Sequence, residues 1–401
     1  MAVGHPPGAL ADREVSTIAH DVAHTHELAM ARALELAARG PVYGPNPRVG
    51  CVLLAADGAP LAEGWHAGAG TPHAEAVAVA RAREAGHDLR GATAVVTLEP
   101  CAHTGRTGPC ADLLLEAGVA RAVVAVPAPT PLASGGAERL RAGGVEVVEG
   151  VRRAEGEALL EVWLHAVRLG RPFVTLKTAT SLDGRVAAAD GSSRWITSEE
   201  SRAHAHRLRA EMDAIVVGTG TALQDDPSLT ARTAEGDLTA HQPLRVVVGG
   251  RDLPAGARLH GPGGELVQIR THEPRAVLQE LAVRGVRHVL VEGGPTVAAA
   301  FLAAGLVDEV HAYVAPVLLG AGPAALADLG VRSIGDALRL ESRGVEVLGP
   351  DVLIRARPRA ASRVTTASAP SSAAPSAAQP TALPAAQSAA QSAASSTQQE
   401  V

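Results

Sequence analysis

Three residues in the first third of the chain have the types and the order that a zinc site requires. His73, Cys101 and Cys110 supply one imidazole and two thiols, and zinc binds both kinds of ligand at tetrahedral sites. Three protein ligands leave the fourth position to water, whose pKa a zinc ion lowers enough to generate hydroxide at neutral pH. The pattern therefore predicts one catalytic zinc ion per chain.

Glu75 lies two residues after His73, near a predicted helix start. From there a carboxylate can move protons from the water to a ring nitrogen and to leaving ammonia, so we expect a proton shuttle and not a ligand. Thr71 is the expected N-cap of this helix, with Pro72 in its first turn. The remaining cysteine, Cys51, lies in an apolar strand and is interpreted as a core residue.

The combination of these residues is more specific than its parts. A His-x-Glu sequence alone fits a solvated helix start, and two cysteines alone fit buried thiols. A His-x-Glu followed by Pro-Cys and a second cysteine is the pattern of zinc-dependent nucleobase deaminases. The chain differs from the short form of that pattern, because eight residues separate Cys101 from Cys110.

Two glycine pairs in the second half follow predicted strands and precede predicted helices. At Gly293-Gly294, backbone N–H groups can approach a phosphate, and the helix expected from Thr296 offers its N-terminus to the anion. The similar Gly218-Thr219-Gly220 lacks the third glycine of the dinucleotide-binding fingerprint, so a plain Rossmann domain is not predicted. Each pair taken alone fits a tight turn.

Alternating strand and helix patterns from residue 23 to residue 358 predict an α/β layer structure. Gly170-Arg171-Pro172 interrupts the alternation, so we expect one domain over 23–169 and a second over 170–358. Residues 1–22 and the Ala/Ser/Gln/Pro-rich residues 359–401 are expected to be disordered. Helices are predicted at 25–38, 72–85, 110–117 and 152–169, and strands at 49–55, 93–98, 122–126, 145–149, 173–178, 214–217, 244–248, 288–291 and 309–314.

The overall composition excludes several classes of function. A net charge of -6 and 2% aromatic residues argue against a surface that binds nucleic acid. Three cysteines do not make a disulfide framework, no apolar run is long enough to span a bilayer, and the first residues do not have the pattern of a signal peptide. We therefore expect a cytoplasmic enzyme of small molecules, without nucleic-acid or membrane partners, and the sequence leaves open whether it forms a homo-oligomer.

Several segments resemble the bifunctional RibD/RibG family of riboflavin biosynthesis, in which a pyrimidine deaminase precedes a reductase. In the first half these segments are 97–110, Pro45-Asn46-Pro47-Arg48-Val49-Gly50-Cys51, and Gly64-Trp65-His66 ahead of Pro72-His73-Ala74-Glu75. In the second half they are 176–185, Ser193-Arg194-Trp195-Ile196-Thr197-Ser198, 218–227 and Val291-Glu292-Gly293-Gly294-Pro295-Thr296. One loop differs, since Ala128-Pro129-Thr130-Pro131 stands where the family usually has Asp-Pro-Asn-Pro.

The resemblance implies an N-terminal cytidine-deaminase-like three-layer domain and a C-terminal dihydrofolate-reductase-like domain. It implies zinc-dependent deamination of 2,5-diamino-6-(5-phosphoribosylamino)pyrimidin-4-one, followed by NADPH-dependent reduction of the ribosyl group. Two alternatives stay open at this point. One is a deaminase of free nucleosides or nucleic acid with a non-catalytic C-terminal module, and the other is a chain in which one half only binds or oligomerises.

The resemblance also assigns roles to individual residues. It implies that Asn46 and His66 contact the pyrimidine, and it places NADPH against Ala179, Trp195, Thr221, Asp225, Gly294, Pro295, Thr296, Val297, Ala298, Ala299 and Ala300. The reductase substrate is expected to contact Lys177, Ser193, Arg209, Leu229, Arg232 and Glu292. Arg209 and Arg232 suit phosphate because a guanidinium binds phosphate oxygens as a fork. Lys177 is expected either to donate a proton or to hold phosphate, and Asp225 to assist with protons.

Overall fold

The computed structural model describes residues 8–103, 108–129 and 134–359, with side chains from residue 22 onward. The expected C-terminal tail, apart from Arg359, and residues 1–7 of the expected N-terminal extension lie outside this range, as do Thr130 and Pro131 of the altered loop. The first helix begins at Gly8, so the expectation that all of residues 1–22 are an extension is wrong. Residues 9–14 are mostly good helix formers, which explains the earlier start.

Ten α-helices are present among the described residues. They are α1 (Gly8–Ala37), α2 (Ala74–Glu84), α3 (Cys110–Glu116), α4 (Gly136–Ala142), α5 (Arg153–Leu159), α6 (Glu161–Leu169), α7 (Glu199–Ala210), α8 (Thr219–Asp225), α9 (Pro274–Val283) and α10 (Pro295–Ala303). The helix predicted over 152–169 is two helices, because the chain bends at Leu160, whose side chain is buried in the core. No helix of the described residues is long and apolar enough to cross a membrane.

Thirteen strands are present in the same residues. They are β1 (Gly50–Leu54), β2 (Pro60–Trp65), β3 (Thr93–Leu98), β4 (Arg121–Val126), β5 (Glu146–Glu149), β6 (Phe173–Ser181), β7 (Ala214–Gly218), β8 (Leu244–Val248), β9 (Leu266–Ile269), β10 (His288–Val291), β11 (Glu309–Ala315), β12 (Leu340–Leu348) and β13 (Asp351–Pro358). All nine predicted strands are found, and the bounds of three of them agree to the residue.

The first sheet has the strand order β2-β1-β3-β4-β5. β1 pairs antiparallel with β2 and β3, whereas β3, β4 and β5 are parallel. Helix α2 lies directly on β2, since a Cβ atom at Gly64 would be 2.3 Å from the carbonyl oxygen of Ala74. Only glycine permits this approach, and it fixes the start of α2 against the sheet.

The second sheet has the order β12-β13-β11-β6-β10-β7-β8-β9. The strands from β11 to β9 in this order are parallel, and β12 and β13 form an antiparallel hairpin at one edge. β10 follows β9 in the chain but lies between β6 and β7. The strand order therefore reverses at this point of the sheet. In parallel sheets, ligands bind at the carboxyl ends of the strands next to a point where the strand order reverses.

Candidate active sites

The three predicted zinc ligands lie together at the edge of the first sheet. His73 immediately precedes α2, Cys101 follows the end of β3, and Cys110 is the first residue of α3. His73 Nδ1 is 3.2 Å from Cys110 Sγ and 3.7 Å from Cys101 Sγ. All three candidate ligand atoms lie within 4.8 Å of one another. Two helix starts and one loop that are distant in sequence therefore supply one ligand cluster.

This cluster has the dimensions of a zinc site. Tetrahedral zinc with nitrogen and sulfur ligands would place those atoms about 3.5–3.8 Å apart, given its usual bond lengths. The backbone N–H of Cys110 donates to Cys101 Sγ at 3.3 Å, and hydrogen bonding with the Cys110 thiol lowers the pKa of Cys101. Zinc binds cysteine as thiolate, so this environment favours the form that the metal needs.

Glu75 lies in the first turn of α2 and is only 3% exposed. Burial raises the pKa of its carboxyl group above the usual glutamate range. It lines the same cavity as His73 and Cys101 but is not one of the three clustered ligands. The expected N-cap is wrong, since His73 takes that position and the Thr71 hydroxyl donates to Gly68 O at 2.7 Å.

Asn46 and His66 are brought together beside this cluster. Asn46 Nδ2 is 2.9 Å from His66 Nε2, and His66 Nδ1 is 3.0 Å from the carbonyl oxygen of Pro72. The carbonyl can only accept, so Nδ1 carries the proton and Nε2 accepts from the amide. Burial lowers the pKa of His66, which favours this neutral form. Asn46 thus presents its amide oxygen for another partner.

The cavity around these groups has a volume of about 250 Å³. Glu99, His103, Trp163 and Arg287 also line it and were not predicted. Glu99 accepts hydrogen bonds from the backbone N–H groups of Ala128, Gly135 and Ala137 and so ties the 128–137 loop to the end of β3. The position of Glu99 directly before Pro100-Cys101 could have indicated that it belongs to the site. The sequence around Trp163 and Arg287 contains no such indication.

A second cavity, of about 500 Å³, is formed by residues of the domain that contains the second sheet. Its wall includes side chains near the carboxyl ends of β6, β7 and β10, the place that the strand order favours. Ten of the predicted cofactor and substrate residues line it: Lys177, Ala179, Ser193, Trp195, Arg209, Thr221, Asp225, Leu229, Arg232 and Glu292. Residues predicted from five separate segments are therefore brought into one cleft.

Arg209 and Glu292 form a two-point ion pair within this cleft. The Nε and Nη2 atoms of Arg209 donate to the two carboxylate oxygens of Glu292 at 2.6 and 2.7 Å. Burial alone raises the pKa of Glu292, but the Arg209 guanidinium more than offsets this, so that it stays below its usual range. Glu292 occupies this fork here, and the expectation that Arg209 contacts the substrate phosphate stays a prediction.

Lys177 lies close to this pair and above the ring of Tyr313, with Nζ 5.5 Å from the ring centroid. Burial lowers the pKa of Lys177, and the Glu292 carboxylate opposes that shift. Burial also raises the pKa of the Asp225 carboxyl group. Arg232 donates to Thr230 Oγ1 and to Gly236 O at 3.1 and 2.6 Å, which leaves other N–H groups of its guanidinium for a ligand.

The seven predicted cofactor residues from Gly294 to Ala300 do not line this cavity. Gly294 is the N-cap of α10, and its N–H donates to the Thr221 hydroxyl at 3.0 Å. Ala298 and Ala299 are buried, with Ala298 in the core of the domain. These two side chains therefore pack inward, whereas Thr296 is exposed and Gly294, Pro295, Val297 and Ala300 are half-buried. The expectation that the segment contacts NADPH stays a prediction.

Comparisons with known proteins bear on both sites. Residues 23–126 match the family described as the cytidine and deoxycytidylate deaminase zinc-binding region, and residues 172–354 match the RibD C-terminal domain. The chain is 51% identical over 317 residues to the riboflavin biosynthesis protein RibD of Mycobacterium tuberculosis, covering 79% of this chain and 92% of that protein. The chain belongs to the RibD family.

Other RibD proteins extend this result to nearly their full length. RibD of Escherichia coli is 40% identical over 364 residues, covering 82% of this chain and 98% of that protein. A solved structure of RibD from Acinetobacter baumannii is 37% identical, with a TM-score of 0.76, and is covered to 99%. A Thermotoga maritima structure described as a diaminohydroxyphosphoribosylaminopyrimidine deaminase/5-amino-6-(5-phosphoribosylamino)uracil reductase is 35% identical, with a TM-score of 0.73, covering 84% of this chain and 99% of that one.

RibD membership confirms the predicted fold class, with a deaminase-like domain followed by a RibD-type reductase domain. Sequence reasoning nevertheless missed several polar residues that line the second cleft. Arg202 and His206 lie on α7 at helical spacing from Arg209 and face the cleft with it. That spacing was a usable signal. Arg194, Thr230 and Tyr313 also line the cleft and come from segments without such a pattern.

Proposed function

We propose that the chain catalyses two steps of riboflavin biosynthesis. The first is hydrolytic deamination of 2,5-diamino-6-(5-phosphoribosylamino)pyrimidin-4-one, and the second is reduction of the ribosyl group to give 5-amino-6-(5-phosphoribitylamino)uracil. The family membership supports both steps, as does the double activity in the name of the Thermotoga maritima protein. The observation that carries the first step is the convergence of one imidazole and two thiols beside the buried Glu75.

In the deaminase cavity, His73, Cys101 and Cys110 would hold one zinc ion, which supplies activation of the attacking water. Glu75 accepts a proton from that water and delivers protons to the pyrimidine nitrogen and to the departing ammonia. Its raised pKa suits both directions of transfer, since the group must bind and release protons in one cycle. Asn46, oriented by His66, binds the ring through its amide oxygen.

In the second cleft we place NADPH, which supplies the hydride. Ala179, Trp195, Thr221 and Asp225 face the cofactor. The segment from Gly294 to Ala300, which is hydrogen-bonded to the cleft residue Thr221, would contact its phosphates through the N-terminus of α10. The residues that face the substrate are Lys177, Ser193, Arg209, Leu229, Arg232 and Glu292. Lys177 delivers the proton that accompanies hydride transfer. Burial lowers its pKa, so it can release a proton, and the Glu292 carboxylate stabilises its protonated form before transfer.

The remaining assignments follow from the same proposal. The deaminase domain extends over 23–169 and the reductase domain over 170–358, with the boundary inside the segment between the two matched families. The enzyme acts in the cytoplasm on a small phosphorylated pyrimidine, with no nucleic-acid or membrane partner.

The test is incubation of the purified chain with the phosphoribosylated diaminopyrimidine, with and without NADPH. Mass spectrometry should detect the deaminated product in both cases and the ribityl product only with NADPH. Glu75→Gln should keep its zinc, lose deamination, and still reduce the deaminated compound when that compound is supplied. Deamination by Glu75→Gln at the parent rate would contradict the role of Glu75, and no product from the parent would contradict the proposed function.

A further inference from the structure

Arg287 lines the deaminase cavity although it belongs to the other half of the chain. It immediately precedes β10 of the second sheet, yet it shares a cavity wall with Asn46, Glu75 and Trp163. Among the described residues that line this cavity, Arg287 is the one beyond residue 170 and the one arginine or lysine. A permanent positive charge from the reductase half thus faces the site of deamination.

The guanidinium of Arg287 is not neutralised within the described part of the chain. Its Nε atom is buried without a hydrogen-bond partner there, and no carboxylate of that part pairs with it. Arg171 and Arg209 differ, since they form two-point pairs with Asp308 and Glu292. The Nε atoms of Arg48 and Arg185 are also without a partner, but neither residue lines this cavity. A buried donor without a partner costs free energy, and a ligand with acceptor oxygens would recover it.

The backbone of Arg287 is held firmly against the deaminase loop. Its N–H donates to Asp213 Oδ2 at 2.7 Å, and its carbonyl accepts from the N–H of Phe173 at 2.8 Å. The other oxygen of Asp213 accepts the N–H of Gly44, directly before the cavity residues Pro45 and Asn46. One carboxylate therefore fixes the loop that carries Asn46 relative to Arg287.

A second contact strengthens the same junction. The rings of Tyr43 and His241 stack at a centroid distance of 3.5 Å and an interplanar angle of 4°. His241 Nε2 in turn lies 2.8 Å from Met212 O, next to Asp213. The two halves are thus joined at Tyr43 and at Gly44, and Arg287 has a defined position in the deaminase wall.

We propose that Arg287 binds the phosphate of the deaminase substrate, so that the reductase half completes the deaminase site. This inference rests on the proposed function, which gives the substrate a phosphoribosyl group. A cavity of about 250 Å³ is smaller than the roughly 300–1,000 Å³ of typical ligand sites, which suits enclosure of the ring with the sugar phosphate extending along the wall. A guanidinium binds phosphate oxygens through two parallel N–H donors.

The experiment compares the deamination kinetics of the full chain on the phosphorylated substrate and on the same compound after phosphatase treatment. Arg287→Met should raise KM for the phosphorylated compound by about 10- to 100-fold, the loss expected for one charge-assisted contact. The kinetic constants of this variant on the dephosphorylated compound should stay within about twofold of the parent, because that compound has no phosphate for Arg287 to bind. Arg287→Lys should recover part of the KM, since it keeps the charge but not the fork.

Arg284→Gln is the matched control, because Arg284 lies in the same connection between α9 and β10 and pairs with Glu280 at 3.2 Å instead of lining the cavity. It should leave both KM values unchanged. Reduction of separately supplied deaminated compound should be unchanged in every variant, which shows that the chain is folded. If Arg287→Met raises KM equally for both compounds, or leaves KM for the phosphorylated compound unchanged, the inference about Arg287 is wrong but the proposed function is not affected. A parent that deaminates neither compound would contradict the proposed function itself.

Discussion

At the scale of single residues, the zinc cluster is specified by its position as much as by its chemistry. Cys51 and Cys110 are both buried thiols, at 0% and 2% exposure. Cys51 packs within β1 in the apolar core, and burial raises its pKa well above the usual cysteine range. Cys110 lies at a helix start beside an imidazole and a second sulfur. The same side chain is therefore a core residue in one place and a ligand in the other.

This contrast gives the first prediction. Cys110→Ser should lower zinc affinity by at least about tenfold, because a hydroxyl replaces a thiolate in a three-ligand site. Deamination should fall accordingly, while reduction of supplied deaminated compound should stay near the parent rate. Metal analysis after dialysis measures the first effect. Cys51→Ala is the control, and it should reduce stability without loss of zinc; zinc loss in both variants would show that folding and not ligation is responsible.

The second prediction concerns the proton that accompanies reduction. Lys177 donates only when it is protonated, so kcat/KM for reduction should fall as pH rises through its pKa, which burial places below the usual lysine value of about 10.4. Lys177→Arg should show a lower rate without this alkaline decline, because a guanidinium does not lose its proton in that range. A pH profile with supplied deaminated compound tests this. An identical alkaline decline in the variant would exclude Lys177 as its source.

At the scale of secondary-structure elements, the metal centre depends on how closely α2 approaches β2. A Cβ atom at Gly64 would lie 2.6 Å from the backbone nitrogen of Ala78, in addition to its clash with Ala74. Both neighbours are helix backbone and cannot rotate aside. The helix start that carries His73 and Glu75 would have to move, and with it one ligand of the cluster.

Gly64→Ala should therefore reduce both stability and zinc binding. Overpacking of this kind typically costs about 1–3 kcal/mol of unfolding free energy, measured by urea denaturation. Zinc content should fall as well, because displacement of α2 moves His73 away from the two cysteines. Gly58→Ala offers a comparison, since Gly58 has a positive φ of 88° but lies in the β1–β2 turn away from α2. It should destabilise the chain without loss of metal.

The elements also show which features the sequence could predict. Strands such as 93–98 and 244–248 were predicted to the residue because buried strands of parallel sheets are short, continuous apolar runs. The zinc ligands were predictable because their chemistry is distinctive. The strand Pro60–Trp65 was missed, since its residues are only partly apolar and its pairing with β1 decides its structure. The pairing of Arg209 with Glu292 and the place of Arg287 depend on contacts across many residues, which no local pattern records.

At the scale of the whole molecule, charged groups link α6 to the second sheet. Arg357 on β13 bonds both Glu309 on β11 and Glu161 on α6. Burial alone raises the pKa of Glu309, but hydrogen bonds from His311 and Arg357 overcome this and hold it at about 2. Hydrogen bonding with Arg357 likewise lowers the pKa of Glu161. These carboxylates therefore favour the folded state only while they are ionised.

The sign of the pH dependence follows from these lowered values. The stabilisation by Glu309 is fully present above its unfolded pKa of about 4.3 and is lost as pH falls toward the folded value of about 2. Arg357→Met should cost about 1–3 kcal/mol of unfolding free energy at pH 7, because it leaves the mostly buried Glu309 carboxylate with His311 as its remaining partner. The variant should also lose less stability than the parent between pH 5 and pH 3, two values chosen to span this transition.

Urea denaturation of the parent and of Arg357→Met at pH 7, 5 and 3 measures both effects. The comparison variant is Arg90→Met, since Arg90 pairs with Asp88 in an exposed turn where both side chains are more than half exposed. An exposed pair contributes little to stability, so this variant should follow the parent closely at every pH. Parallel pH curves for the parent and Arg357→Met would contradict the assignment, because the acid sensitivity would then arise elsewhere in the molecule.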